Sequence, residues 1–171
     1  MKCVFLDRDG VINVDDVNYT YKVEDFVLVE GVVEALNLLK SKGYFLVLIT
    51  NQSGIAKGIY THEDVAKCHA YMHEITGHTI DDIFYSPYHQ NFTKSLGRKP
   101  GSLLFEKAIA KHGIDISKSY MVGDRGRDLV PAKKLELKTV HIKEEGHPAE
   151  DALHVCYSLL EAAKWIVSQE V

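Results

Sequence analysis

The chain has 171 residues, 46% hydrophobic and 26% charged, so it can build a core and is not disordered by composition. A net charge of −4 leaves no whole-chain basic footprint for nucleic acid, and the longest apolar run, Tyr44–Ile49, is far too short to cross a bilayer. Cys3, Cys68 and Cys156 are odd in number and lack any CxxC pair, and Asp7 follows too soon for a secretory leader, so a cytoplasmic protein without a disulfide scaffold is expected.

No repeat or linker interrupts the sequence, which predicts a single domain over residues 1–171. Cys3–Leu6 reads as a strand, and Val32, Leu36 and Leu39 keep helical spacing up to Gly43. Tyr44–Ile49 is apolar on both faces, as in a strand covered by helices on each side. Thr61 and Asp64 can cap a helix whose Val65, Cys68, Met72 and Ile75 form one stripe, leaving His69 and His73 on an exposed polar face. Ile83–Tyr85 is a fainter strand, followed by a helix over Leu104–His112 and a strand over Tyr120–Val122. The helix Leu129–Leu135 would tolerate Pro131 in its first turn. Thr139–Ile142 and Leu153–Cys156 read as the last strands, and Ser158 with Glu161 as a capping box on the final amphipathic helix. This alternation predicts an α/β, doubly wound, Rossmann-like and mostly parallel sheet with helices on both faces. In such folds ligands sit beyond the carboxyl ends of the strands.

Four polar segments fall at such ends or at a helix start: Asp7-Arg8-Asp9-Gly10, Thr50-Asn51-Gln52-Ser53-Gly54, Arg98-Lys99-Pro100-Gly101 and Gly123-Asp124 through Asp128. Brought together, Asp7, Asp124 and Asp128 would repel by roughly 4 kcal/mol per pair at 4 Å and an effective dielectric near 20, so they require a cation or raised pKa values. An all-oxygen set without Cys or His suits Mg²⁺. Thr50 and Lys99 would add a hydroxyl and a positive charge, and N–H groups near Gly10 and Asn51 a phosphate cradle. A carboxylate facing a phosphate so held can attack phosphorus, and a second carboxyl two residues on can protonate the leaving oxygen and then activate water. Any one segment alone could be a solvated turn or a helix cap.

The four segments in this order resemble the haloacid dehalogenase (HAD) superfamily of phosphohydrolases. FLDRDGVIN, TNQSGIAKG, RKPGS and SYMVGD are similar to the D-glycero-D-manno-heptose-1,7-bisphosphate phosphatases and the related histidinol-phosphate phosphatases, from about Val4 to about Trp165. The resemblance implies a Mg²⁺-dependent phosphomonoesterase acting on a small phosphate ester, with Asp7 as nucleophile, Asp9 as acid/base, and Thr50 and Lys99 on the transferring phosphoryl group. It implies Mg²⁺ on Asp7, the Asp9 carbonyl and Asp124, with Asp128 in support. Asn51, Gln52, Ser53 and Arg98 would bind substrate, Arg98 at its distal part. The stretches from Asp7 to Thr50 and from Thr50 to Lys99 are already filled by core elements, so no cap domain is expected and the loops Ser86–Gly97 and Val14–Asp25 would set specificity. Where these relatives hold a structural zinc with Cys-x-His and Cys-x-Cys pairs, this chain has Ser86-Pro87-Tyr88 and Ser95-Leu96-Gly97, so no structural zinc is expected.

Heptose 1,7-bisphosphate, losing its C7 phosphate, is the expected substrate, with histidinol phosphate next. A polynucleotide 3′-phosphatase would share the TNQ segment but needs a basic groove. A phospho-acceptor receiver would carry its aspartate after the third strand, and an inactive binding module would have lost one of the key residues. His89 beside the pocket loop is a further candidate contact; a metal role for the histidines lacks a third ligand. No membrane or nucleic-acid partner is expected, and a monomer is the default.

Overall fold

The computed structural model describes residues 1–144 and 149–170. Six strands, β1 (Cys3–Leu6), β2 (Phe45–Asn51), β3 (Asp82–Ser86), β4 (Tyr120–Gly123), β5 (Lys138–Ile142) and β6 (His154–Cys156), pair in parallel in the order β3-β2-β1-β4-β5-β6. Five helices connect or follow them: α1 (Val32–Ser41), α2 (His62–Ile75), α3 (Leu103–His112), α4 (Gly126–Lys134) and α5 (Leu159–Ser168).

Strand side chains alternate between faces, and this splits the core in two. Val4 and Leu6 of β1, with Leu46 and Leu48 of β2, pack against α1, α2 and α5. Cys3 and Phe5, with Val47 and Ile49, pack against α3 and α4. Burial on both faces explains the unbroken apolar runs of the central strands. Continued by one residue, the same alternation turns Asp7 toward α3 and α4. The Asp7 N–H donates to Val122 O at 3.1 Å, so the β1–β4 pairing reaches that residue.

Strand order reverses at β1: β2 and β3 build outward on one side, and β4 restarts on the other. The crevice between the carboxyl ends of β1 and β4 is therefore the switch point at which open α/β sheets bind ligands. From Asp7 to Thr50 the chain holds one short 3₁₀ turn, α1 and β2, and from there to Lys99 only α2, β3 and a loop. The α/β doubly wound architecture without a cap is thus as the sequence implies.

Three local expectations change. Helix α4 begins at Gly126, so Pro131 lies in its second turn rather than its first. The start is set by Asp128 Oδ2 accepting from the Arg125 N–H at 3.1 Å, a polar signal upstream of the apolar spacing, and the proline ring is buried. His69 is buried on α2 rather than on an exposed face, because Tyr85 of β3 packs edge-on against it at 5.9 Å. Ser158 Oγ does accept from the Glu161 N–H at 3.1 Å, but Glu161 Oε2 reaches the N–H of Tyr157 at 3.0 Å instead of returning to Ser158. Among the described residues no helix is long and apolar enough to cross a membrane.

Candidate active site

Lys99 precedes α3 and is buried with its ammonium in the crevice. Its Nζ lies 2.8 Å from Asp7 Oδ1 and 2.7 Å from Asp128 Oδ1, and donates to Ile49 O at 2.7 Å. The ammonium thus hydrogen-bonds one carbonyl and stands in ion-pair contact with two carboxylates. Burial lowers the Lys99 pKa, but the charges of Asp128 and Asp7 outweigh this and hold it above the usual value. Asn51 fixes the loop: its Oδ1 accepts from Lys99 N and its Nδ2 donates to Lys99 O, both at 3.0 Å. The Asn51 side chain, expected on the substrate, is instead a clamp on the Lys99 backbone.

Asp7, Asp124 and Asp128 each bring a carboxylate oxygen within 4.8 Å of the others. Asp7 Oδ1 also accepts from Arg8 N at 2.8 Å, which leaves Oδ2 without a protein donor among the described residues. Asp128 Oδ2 caps α4, while its buried Oδ1 is in ion-pair contact with Lys99 and has no hydrogen-bond partner among the described residues. Asp124 differs. Its Oδ2 lies 3.1 Å from Arg125 Nε, while Oδ1 is buried with no hydrogen-bond partner among the described residues. Arg125 also approaches Glu144 at 3.3 Å and Asp15 at 3.5 Å. Burial pushes the Asp124 carboxyl up to about 8, with Asp7 and Asp128 adding to it. Burial and then Asp128 push Asp7 up to about 6 against the pull of Lys99.

Close approach explains two glycines. A Cβ on Gly10, whose φ is +83°, would lie 2.4 Å from Asp124 Oδ2, and one on Gly123 would lie 2.4 Å from Asp128 Cβ. The Gly10 N–H is taken by Asn13 O at 2.8 Å, so that particular amide does not face the crevice as the cradle expectation required.

Asp9 leaves the strand on the other side and is held at both oxygens. Its Oδ1 accepts from Arg8 Nη2 at 2.8 Å and Asn13 Nδ2 at 3.0 Å, and its Oδ2 from Gln52 Nε2 at 3.2 Å. Gln52 also donates to Thr50 Oγ1 at 3.0 Å and accepts from the Tyr60 hydroxyl at 2.9 Å. Only 1% exposed and fully engaged, Gln52 orients Asp9 and Thr50 rather than touching substrate. Ser53 is buried in the turn that follows.

Sequence reasoning missed Tyr60 and His141. Tyr60 stacks on Tyr21 at 5.1 Å and meets Tyr19 edge-on at 5.8 Å, contacts with no local sequence signal. His141 accepts at Nδ1 from the Glu150 N–H at 3.0 Å, which assigns the proton to Nε2, 3.2 Å from Asp124 O. Arg98 is half-buried and donates to Tyr88 O at 3.1 Å beside a cavity of about 500 Å³. His89 is buried and its Nδ1 accepts from the Asn91 N–H at 3.2 Å, a bond within its own loop.

The HAD-hydrolase-like family model matches residues 96–167. A D-glycero-beta-D-manno-heptose-1,7-bisphosphate 7-phosphatase from Haemophilus ducreyi is 41% identical over 147 residues, covering 81% of this chain and 80% of the relative. One of the same name from Pasteurella multocida is 35% identical over 94% of this chain and 92% of its own length. The chain belongs to the HAD heptose-bisphosphate phosphatase family. Its fold agrees at TM-score 0.90, over 99% of each chain and at 25% identity, with the crystal structure of the D,D-heptose 1,7-bisphosphate phosphatase from B. bronchiseptica complexed with magnesium and phosphate.

For this family member a divalent cation fits the crevice. Three carboxylates converge around the one ammonium among them, and the buried Asp124 Oδ1 has no hydrogen-bond partner among the described residues. The donors are all oxygens, which suits magnesium.

Proposed function

We propose that this chain is a magnesium-dependent phosphomonoesterase that removes the C7 phosphate of D-glycero-D-manno-heptose 1,7-bisphosphate through an aspartyl-phosphate. The observation that carries this reading is the buried Asp7, anchored at Oδ1 by Lys99 and at Oδ2 without a protein donor among the described residues, at the switch point of the sheet. The names of its relatives supply the substrate. Magnesium would be held by Asp7, the Asp9 carbonyl and Asp124, and when bound would neutralise charge between the carboxylate and the incoming phosphate.

Each residue then has a task. Asp7 Oδ2 attacks phosphorus in line with the departing sugar oxygen. Asp9 gives its proton to that oxygen, and the resulting carboxylate takes a proton from the water that cleaves the acyl phosphate. Thr50 Oγ1 already accepts from Gln52, so its own proton is free to donate to a phosphoryl oxygen. Lys99 holds Asp7 ionised and adds positive charge beside the transferring group. Asp128 acts by fixing Lys99 and α4. The reading implies a monomer of the cytoplasm acting on a small phosphate ester, and three buried free cysteines fit a reducing compartment.

Phosphate release from a panel containing both anomers of heptose 1,7-bisphosphate, histidinol phosphate and a 3′-phosphorylated oligonucleotide tests it. Magnesium-dependent loss of the C7 phosphate, abolished in Asp7→Asn, is the expected result. Faster turnover of histidinol phosphate or the oligonucleotide would overturn the substrate, and full activity in Asp7→Asn the mechanism.

A further inference from the structure

Of the four arginines, Arg8 is ion-paired with Asp9, and Arg125 with Asp15, Asp124 and Glu144. Arg98 and Arg127 form no ion pair among the described residues, yet both line the cavity of about 500 Å³ that opens beside Lys99. Lys94 and Lys99 are the other basic residues in its wall, and among the described residues no carboxylate lines it. The two guanidiniums are close enough that the charge of Arg127, after burial, lowers the pKa of Arg98. Two like charges gathered at one cavity without a counter-ion repel each other, and the arrangement becomes favourable when an anion enters.

The position of the cavity names the anion. Lys99 has its ammonium on Asp7 and also lines the cavity, so a substrate with one phosphate at Asp7 would project its other end past Lys99 toward Arg98 and Arg127. Two guanidinium forks match the oxygens of a phosphate dianion, and each can bond two of them. Arg127 lies inside the Gly123–Asp128 segment, between the two aspartates that sequence reasoning marked for metal, and none of the quoted motifs gives it a role.

We propose that Arg127 joins Arg98 in gripping the phosphate that is not transferred, and that Arg127 thereby sets the preference of this chain for bisphosphates over monophosphates. This rests on the reading of the Asp7–Lys99 crevice as the phosphatase site. The test is isothermal titration of magnesium-loaded Asp7→Asn protein, with and without Arg127→Gln, using heptose 1,7-bisphosphate and heptose 7-phosphate. The kcat/KM ratio for the same two ligands is then measured in the Asp7 background. Loss of a charge-assisted phosphate contact is expected to weaken bisphosphate binding about tenfold relative to the 7-phosphate and to lower the kcat/KM ratio by a similar factor. Arg127→Lys, a charge without the fork, should recover part of the loss. Equal weakening of both ligands, or none, with bisphosphate still bound and turned over, would overturn the role of Arg127 and leave the phosphatase reading intact. Binding of neither ligand to a folded Asp7→Asn protein would overturn both.

Discussion

Lys99 Nζ and Asp128 Oδ1 lie 2.7 Å apart with both side chains almost wholly out of solvent, at 1% and 0% exposure. A buried pair of this kind adds little over an apolar substitute, but removal of one partner strands the other charge. Lys99→Met would strand two, because Asp7 shares the same ammonium. The expected loss is about 3–5 kcal/mol in urea unfolding without magnesium. Lys99→Met/Asp128→Asn should be less destabilised than the two single changes summed. Additive losses would show that the ammonium and the Asp128 carboxylate are not coupled.

Asp124 links the same crevice to pH. Burial pushes its folded carboxyl up to about 8 while the unfolded one keeps the ordinary carboxylate value, so the folded state binds more protons between them. Its contribution to stability is therefore complete below the unfolded value and is lost as pH rises through the folded one. Asp7, raised to about 6, acts in the same direction. Magnesium competes with those protons, so the rise in Tm on adding Mg²⁺ should grow from pH 5 to pH 8. Asp124→Asn should melt above wild type in EDTA at pH 8 and show little shift with Mg²⁺. A shift independent of pH, or retained in Asp124→Asn, would argue that the ion binds elsewhere.

The strand ends were legible because two local rules coincide there: apolar runs stop, and acids or hydroxyls follow within one residue. That is why Asp7, Thr50 and Asp124 stand at or just past the carboxyl ends of β1, β2 and β4, where the order of residues along the chain puts them. Asn51 and Gln52, expected on the substrate, bond to the protein in the structure, and the sequence gives no sign of this for a physical reason. A carboxamide looks the same in sequence whether it faces a ligand or the protein, and the partners that decide the matter, the Lys99 backbone and the Tyr60 hydroxyl, come from other elements. His69 failed in a similar way, since its burial is set by Tyr85 on a neighbouring strand. Tyr60 and His141 act through tertiary contacts and had no periodic signal to reveal them.

Tyr60→Phe probes whether Gln52 orients Asp9. The substitution keeps the ring stacked on Tyr21 but removes the hydroxyl that donates to Gln52 Oε1, freeing the carboxamide to turn its Nε2 away from Asp9 Oδ2. General acid catalysis is worth about 10²–10⁴-fold, and loss of one orienting bond should cost about tenfold in kcat on a sugar phosphate. The cost should shrink with p-nitrophenyl phosphate, whose leaving group needs no proton, while KM for either changes little. An equal loss on both substrates would assign the tyrosine to packing alone.

His69 should make the protein acid-sensitive. Burial pushes its imidazole down to about 3, and Nε2 has no hydrogen-bond partner among the described residues, so the folded state carries it neutral. The unfolded chain protonates it near 6.5, so between those values the unfolded state binds more protons and stability falls as pH falls. The single site accounts for about 2 kcal/mol lost between pH 7 and pH 5. His69→Leu, which fills the same apolar wall against Tyr85, should therefore lose about 2 kcal/mol less than wild type over that interval in paired urea titrations. Parallel pH profiles for the two proteins would mean that the folded protein accepts a proton on His69 as readily as the unfolded chain does.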